Sequence, residues 1–149
     1  MSKKLKISDE WWTAPVEGDN GDLVIVTGRD GMHEIIQLKQ FVYRVDTTWK
    51  YRDAGMPDKS TSEIMEQITD SLKTVFDKDP VAILTGIYTG AGERNWVFYT
   101  RSLHIFQKKF NEAMSQFPSL PLAFHAEEDE NWSEYKEMKD LTFINSSDD

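Results

Sequence analysis

The sequence predicts a single α+β domain with a ferredoxin-like βαββαβ core. Residues 41–51 alternate between apolar and polar side chains, which is typical of a strand with one buried face. Two later segments carry apolar residues at helical spacing. From residue 41 onward, the predicted elements follow the order strand, helix, strand, strand, helix, strand. That order is typical of an antiparallel sheet with two helices on one face.

An N-terminal β-hairpin is predicted to extend this sheet. The apolar runs Leu23–Val26 and Glu34–Leu38 flank Arg29-Asp30-Gly31, and Asp-Gly between apolar runs is a hairpin signal. Residues 1–20, which contain two tryptophans and a proline, are interpreted as an irregular arm or a short edge strand. An exposed edge here could pair with a second copy, so the choice between monomer and homodimer stays open.

The first half of the core consists of the alternating strand and a helix. Ser60 is predicted to cap this helix, with Glu63 completing a capping box, and the helix should end before Pro80. Six apolar residues form its buried stripe: Ile64, Met65, Ile68, Leu72, Val75 and Phe76. On the strand, the shared face carries Phe41, Tyr43, Val45, Thr47, Trp49 and Tyr51.

The second half of the core begins with Val81–Tyr88, which is apolar on both faces and therefore predicted to be a central strand. A glycine-containing turn leads into the aromatic strand Arg94–Arg101, and a second helix is predicted from Ser102. A short strand, Leu122–Ala126, and an acidic C-terminal helix complete the domain. The second helix has this apolar stripe: Leu103, Phe106, Phe110, Ala113, Met114 and Phe117.

Composition is consistent with one domain over residues 1–149, with flexible ends at 1–9 and 145–149. The chain contains no cysteine, which excludes disulfides and thiolate metal sites and is typical of a reducing compartment. No apolar stretch follows the N-terminal lysines, so no signal peptide is predicted, and no run is long enough to span a bilayer. We therefore expect a cytoplasmic protein.

The net charge of −9 is concentrated near the C-terminus. Residues Glu127–Asp149 include nine acidic residues and two lysines, a net charge of −7, whereas the rest of the chain is nearly balanced. Negative surfaces repel phosphate backbones and anionic lipids, and they attract basic proteins. Nucleic-acid and membrane binding are therefore disfavoured. The alternative is that this acidity serves only solubility.

No catalytic constellation is evident in the sequence. His33, His104 and His125 lie in no nucleophile motif, and we predict no catalytic residue. His125, Glu127 and Asp129 alternate and could project together toward a cation, but surface carboxylates are usually just solvated. No metal or cofactor is predicted. Gly90-Ala91-Gly92 joins two strands and fits a hairpin turn better than a phosphate-binding loop.

The second half of the chain resembles a known bacterial family. The pattern begins with the aromatic strand Arg94–Arg101 and continues through Phe117-Pro118-Ser119-Leu120-Pro121-Leu122 to an Asp129, Trp132 and Tyr135 ending. This combination resembles domain of unknown function 695, over roughly residues 10–140. The family has no established enzymatic activity for the resemblance to carry over to this chain. The ending is also similar to that of the regulator of ribonuclease activity B, an acidic ferredoxin-like inhibitor of an endoribonuclease.

The leading hypothesis is a non-enzymatic module that binds or regulates a basic protein. A sharper version is an immunity or inhibitor protein that neutralises a nuclease toxin. The candidate partner-binding residues are Glu127, Glu128, Asp129, Glu130, Trp132 and Tyr135.

Two other interpretations stay open. In the structural one, Asp129 caps a helix, Trp132 closes the core edge and Tyr135 packs with a solvated hydroxyl. In the other, the protein is an enzyme or small-ligand binder with an arginine-lined pocket formed by Arg94, Tyr99, Arg101 and His125.

Overall fold

The computed structural model describes residues 7–18, 20–51, 54–78 and 80–143. These residues form six strands and four helices on a single antiparallel sheet. In chain order the elements are β1 (Trp11–Glu17), β2 (Leu23–Arg29), α1 (His33–Leu38), β3 (Tyr43–Lys50), α2 (Lys59–Lys78), β4 (Ala82–Gly90), β5 (Glu93–Thr100), α3 (Leu103–Met114), β6 (Leu122–Glu128) and α4 (Ser133–Phe143).

The strand order across the sheet is β1-β2-β4-β5-β3-β6. The four strands from β3 onward have the split βαβ arrangement, in which β5 inserts between β3 and β4 and β6 adds outside β3. This confirms the predicted ferredoxin-like core. The hairpin of β1 and β2 extends the sheet beyond β4, so β1 and β6 are its two edges.

One face of the sheet packs against α2 and α3. The apolar stripe of α2 buries Met65, Ile68, Leu72 and Phe76, as its helical spacing predicts. Phe106, Phe110 and Ala113 do the same for α3. Around Phe98 of β5, the rings of Phe76 and Phe106 pack with centroids 5.2 and 5.0 Å away, which adds aromatic contacts to the buried apolar area.

The opposite face is covered too, and this differs from the prediction of one covered face. Helices α1 and α4 enclose a second apolar cluster built from β2, β4 and β5. A central strand such as β4 therefore buries both faces, which explains why its sequence lacks polar alternation. The cluster contains Val26, Met32, Ile35, Phe41, Ile83, Val97, Tyr99, Trp132, Tyr135 and Met138.

The predicted second strand of the N-terminal hairpin is wrong. Glu34–Leu38 lies within α1, and β2 pairs instead with β1, the segment interpreted as an arm or edge strand. The reason is that β2 already has β1 on one side and β4 on the other, which leaves no edge for a third partner. Gly31, with φ +77°, turns the chain off the sheet, and Met32 and Ile35 bury one helical face.

Three local predictions also need correction. The cap of α2 is Asp58, whose Oδ1 accepts the Thr61 N–H at 2.8 Å, and the helix begins one residue before the predicted cap, Ser60. Phe41 precedes β3 and packs in the α1/α4 cluster, not on the face of Val45. Strand β6 continues two residues beyond Ala126.

The turn between β4 and β5 shows why glycine is needed there. Ala91 and Gly92 both have positive φ, at 53° and 83°, which is the signature of a tight hairpin turn. A side chain on Gly90 would meet the carbonyl oxygen of Leu23 at 2.3 Å, so only glycine allows β2 this close. The glycine-rich segment is thus a turn between adjacent strands.

The expected flexible end at residues 145–149 and most of the one at 1–9 lie outside the described residues. Within the described part of the chain, no helix combines the length and apolar character required to cross a bilayer.

Candidate functional site: the acidic corner

The acidic residues identified in the sequence meet at one corner of the sheet, where β6 ends and α4 begins. We call residues 127–134 the acidic corner. Glu127, Glu128 and Glu130 are exposed there, whereas Asp129 is only partly exposed. The Asp129 N–H donates to the Val42 carbonyl at 2.7 Å, which fixes the chain against the beginning of β3. Three of the four carboxylates are therefore exposed, whereas Asp129 is built into the fold.

Asp129 caps α4, as the structural interpretation predicted. Its Oδ1 accepts the Ser133 N–H at 2.8 Å, and its Oδ2 accepts the Glu134 N–H at 3.1 Å. Oδ2 also accepts the Tyr99 hydroxyl at 2.7 Å. Burial alone would raise the pKa of Asp129, but these hydrogen bonds, together with the nearby Arg44 guanidinium, lower it below the ordinary value.

Trp132 and Tyr135 belong to the core, at 1% and 2% exposure. The Trp132 indole stacks on the Tyr99 ring at 4.1 Å, and its N–H donates to the Phe41 carbonyl at 2.8 Å. These contacts hold Trp132 at φ +55°, a conformation that a bulky residue rarely adopts. The Tyr135 hydroxyl, expected to be solvated, donates to the Arg29 carbonyl at 2.5 Å. Neither ring is presented to a partner.

Glu134 lies between two tyrosines on the inner side of the acidic corner. The Tyr88 hydroxyl donates to its Oε2, and its Oε1 lies 3.3 Å from the Tyr99 hydroxyl. Burial raises the pKa of Glu134, and the tyrosine hydrogen bonds only partly offset this. The Tyr88 and Tyr99 pKa values are raised as well, first by burial and then by the Glu134 charge. Both hydroxyls therefore act as donors.

Arg44 of β3 joins the acidic corner to the sheet. Its Nε and Nη2 donate to the two Asp46 oxygens, each at 3.1 Å, and Nη2 also donates to Glu127 at 2.6 Å. Its Nη1 lies 3.9 Å from Asp129 Oδ2. Burial would lower the Arg44 pKa, but the charges of Asp46, Glu127 and Glu134 outweigh it and the pKa is raised. One guanidinium thus partly neutralises several carboxylates.

Glu127 has a second partner in His125. Their side chains lie on the same face of β6, and His125 Nε2 is 3.1 Å from Glu127 Oε1. Hydrogen bonding from His125 and the charge of Arg44 both lower the Glu127 pKa. His33, His104 and His125 are all exposed. Among the described residues, no cluster of histidine and acidic side chains has metal-binding geometry. In the alternating set, Glu127 and Asp129 pair with Arg44 instead, and His125 pairs with Glu127.

The predicted arginine-lined pocket does not form. Arg94 shares the α2/α3 face with Trp96, where its Nε donates to Thr89 at 2.9 Å and burial lowers its pKa. Arg101 follows β5 at its other end and lies over the Phe41 ring of the opposite layer. Seven residues of extended chain place them roughly 20 Å apart, so they cannot hold one anion. Tyr99 and His125 do share the α4 face, with Arg44 between them.

An open groove of about 350 Å³ runs along this face beside the acidic corner. Its polar lining comes from Arg44, Asp46, Tyr88, Glu93, Asn95 and Glu134. None of these six was predicted as a site residue from the sequence. The signal that could have found two of them is the polar face of the alternating 41–51 segment, which carries Arg44 and Asp46. Glu134 could not be found this way, because its burial depends on how α4 crosses the sheet.

Comparison with protein families gives a match over most of the chain. Residues 10–138 match a family described as "Family of unknown function (DUF695)". No curated protein and no solved structure matches the chain. The matched range covers every element from β1 to most of α4, and hence the whole acidic corner.

Proposed function

Since the chain belongs to the DUF695 family of unknown function, we propose a function from its geometry: a non-enzymatic regulatory module that binds a basic protein at the acidic corner. The observation that carries the proposal is the run Glu127-Glu128-Asp129-Glu130 at an outer corner of the sheet. Three of these carboxylates are exposed on a backbone that the fourth anchors. A fixed anionic surface of this kind complements a basic one.

The buried aromatic residues support this proposal indirectly. Trp132 and Tyr135 lie in the core, so their role is to hold the beginning of α4 in place beneath the exposed acids. Pre-organisation of this kind lowers the entropic cost of binding. The partner-contacting residues in the proposal are therefore Glu127, Glu128 and Glu130, with Asp129, Trp132 and Tyr135 as their support.

The absence of catalysis and a cytoplasmic location are parts of the same proposal. Tyr88, Tyr99, Glu134, Asp129 and Arg44 bond to one another, which is the arrangement of a structural network. A cysteine-free chain is suited to a reducing compartment.

Charge reversal with a matched control tests the proposal. The variant Glu128→Lys/Glu130→Lys reverses two exposed charges of the acidic corner, and Glu63→Lys/Asp70→Lys reverses two exposed charges on α2. Both change the net charge equally. We expect the wild-type protein and the α2 variant to retain the same basic partner in pull-downs at low salt, and the corner variant to lose it. Equal retention by all three proteins would contradict the proposal.

A nuclease is a specific partner of this kind, because its nucleic-acid-binding surface is basic. An immunity or inhibitor protein would cover that surface with its own carboxylates. In this version, the purified wild-type chain inhibits the captured nuclease and the corner variant does not. A captured partner without nuclease activity would rule this version out and leave the broader proposal standing.

A further inference from the structure

The two edges of the sheet differ in how open they are to another strand. Edge strand β1 contains Pro15, which has no N–H to donate. Edge strand β6 contains no proline, lysine or arginine, and its register with β3 is continuous from Leu122 to Glu128. Proline, basic side chains and breaks in register are devices by which proteins protect an edge strand, and β6 has none of these three. Within the described residues β6 pairs with β3 alone, so its outer backbone groups face away from the sheet.

An apolar groove runs along β6 on the α3 side. It has a volume of about 300 Å³ and lies between the strand and the helix. Phe124 is 54% exposed on the edge strand and its ring meets the Phe110 ring at 5.1 Å, while Leu103 is 40% exposed on α3. The groove has this apolar lining: Val45, Leu103, Phe106, Phe110, Phe124 and Ala126. A strand laid along β6 would place every second side chain in this groove.

Charge indicates what kind of strand fits. Glu127 is exposed on the face of β6 opposite the groove, and Glu128 and Glu130 are exposed where the strand ends. A segment with apolar side chains toward the groove and basic side chains at the alternate positions would pack against the apolar lining on one face and pair with carboxylates on the other. A second copy of this chain fits less well, because each copy carries a net charge of −9 and would bring more carboxylates to this edge.

We infer that β6 accepts an extended, basic segment of a partner protein as a seventh strand, with its apolar side chains in the groove between β6 and α3. This inference rests on the proposed function and adds the mode of binding. Backbone hydrogen bonds supply pairing, the groove selects apolar side chains, and the acidic corner selects basic ones.

A synthetic peptide of alternating valine and lysine, as long as β6, is the direct probe. Three control peptides carry the same charge: one replaces valine with glycine, and two are N-methylated at alternate amides, one in each register. We expect the valine–lysine peptide to bind, measured by fluorescence anisotropy, and to slow hydrogen exchange of the β6 amides. The glycine peptide and one N-methylated register should bind at least roughly tenfold more weakly, a difference of about 1.4 kcal/mol.

Protein variants locate the contact. Phe124→Ala should weaken the valine–lysine peptide roughly tenfold, whereas Leu23→Ala, which truncates an equally exposed side chain on β2, should not change its affinity. Circular dichroism checks that both variants fold. Ala126→Lys, also at an exposed position, adds a positive charge to the groove and should abolish binding.

The possible failures are distinguishable. If all cationic peptides bind equally and only the Glu128→Lys/Glu130→Lys variant loses them, strand addition is overturned and the proposed function stands. If no peptide binds while the pull-down still depends on the acidic corner, the same conclusion follows. If the free chain forms a dimer whose β6 amides are already protected, the occupant is a second copy and the inference is overturned.

Discussion

Glu134 and Asp129 both contact the Tyr99 hydroxyl, yet the pKa of Glu134 is raised from its ordinary value and that of Asp129 is lowered. The Tyr99 hydroxyl has a single proton to donate. It donates to Asp129, whose oxygen is 2.7 Å away, since the Glu134 oxygen is farther, at 3.3 Å. Asp129 also accepts two backbone N–H groups, whereas Glu134 is more deeply buried with fewer donors. The pKa of each carboxylate is thus set by the balance between lost hydration, which raises it, and hydrogen bonding to the charged form, which lowers it.

This difference predicts opposite pH dependences for two isosteric variants. The raised pKa of Glu134 means that its contribution to stability is fully present below about 4.5, its ordinary value, and is lost as pH rises through the folded value. Glu134→Gln should therefore gain stability relative to wild type as pH rises above about 4.5. Each unit of pKa difference corresponds to about 1.4 kcal/mol.

Asp129 should behave in the opposite way. Its lowered pKa gives stability that is present above the ordinary value of 3.8 and lost as pH falls through the folded value. Asp129→Asn should therefore lose stability relative to wild type as pH rises toward 3.8. Urea unfolding at a series of pH values measures both variants. If the stability difference from wild type changed with pH in the same direction for both variants, the opposite pKa shifts would be contradicted.

The Asp129 side chain caps the beginning of helix α4. Asp129 supplies both acceptors for the first N–H groups of the helix, and Trp132 enters it at a positive φ. Asp129→Ala should therefore cost about 2 kcal/mol of unfolding free energy, at the upper end for a lost cap, and Asp129→Asn should cost less because one oxygen remains. Hydrogen exchange should show the loss first in the α4 amides. An equal cost for both variants would mean that the charge, and not the cap, is what matters.

The elements that the sequence predicted correctly are those with long, periodic patterns. The stripe of α2 and the alternation of β3 follow directly from burial on one side. Glu34–Leu38 failed because a short apolar run fits a strand or a buried helix equally well, and the choice depends on β2 having both neighbours already. At the site, the cap role of Asp129 was predictable from spacing. The partnership of Arg44 with Glu127 was not, because it depends on β6 pairing beside β3.

Taken as a whole, the molecule is a sheet with an apolar layer on each face, and the two layers share β4 and β5. Phe98 and Trp96 point to α2 and α3, whereas Val97 and Tyr99 on the same strand point to α1 and α4. Because alternate residues of one backbone serve both layers, a strand that leaves one layer leaves the other as well. Unfolding should therefore be a single cooperative transition despite the two separate clusters.

One substitution in each layer tests this coupling. Phe110→Leu changes the α2/α3 layer at a cost of about 1 kcal/mol, and Met138→Ala removes part of the α1/α4 layer at a cost of about 2–3 kcal/mol. In urea, far-ultraviolet circular dichroism reports on the helices and strands, whereas tryptophan fluorescence reports on side-chain packing in both layers, since buried tryptophans lie in both. For each variant, we expect both probes to shift to the same lower midpoint with an unchanged slope. If Met138→Ala splits the two transitions while Phe110→Leu does not, then α4 and its layer unfold separately from the ferredoxin-like core, and the acidic corner that α4 supports would be the less stable part of the fold.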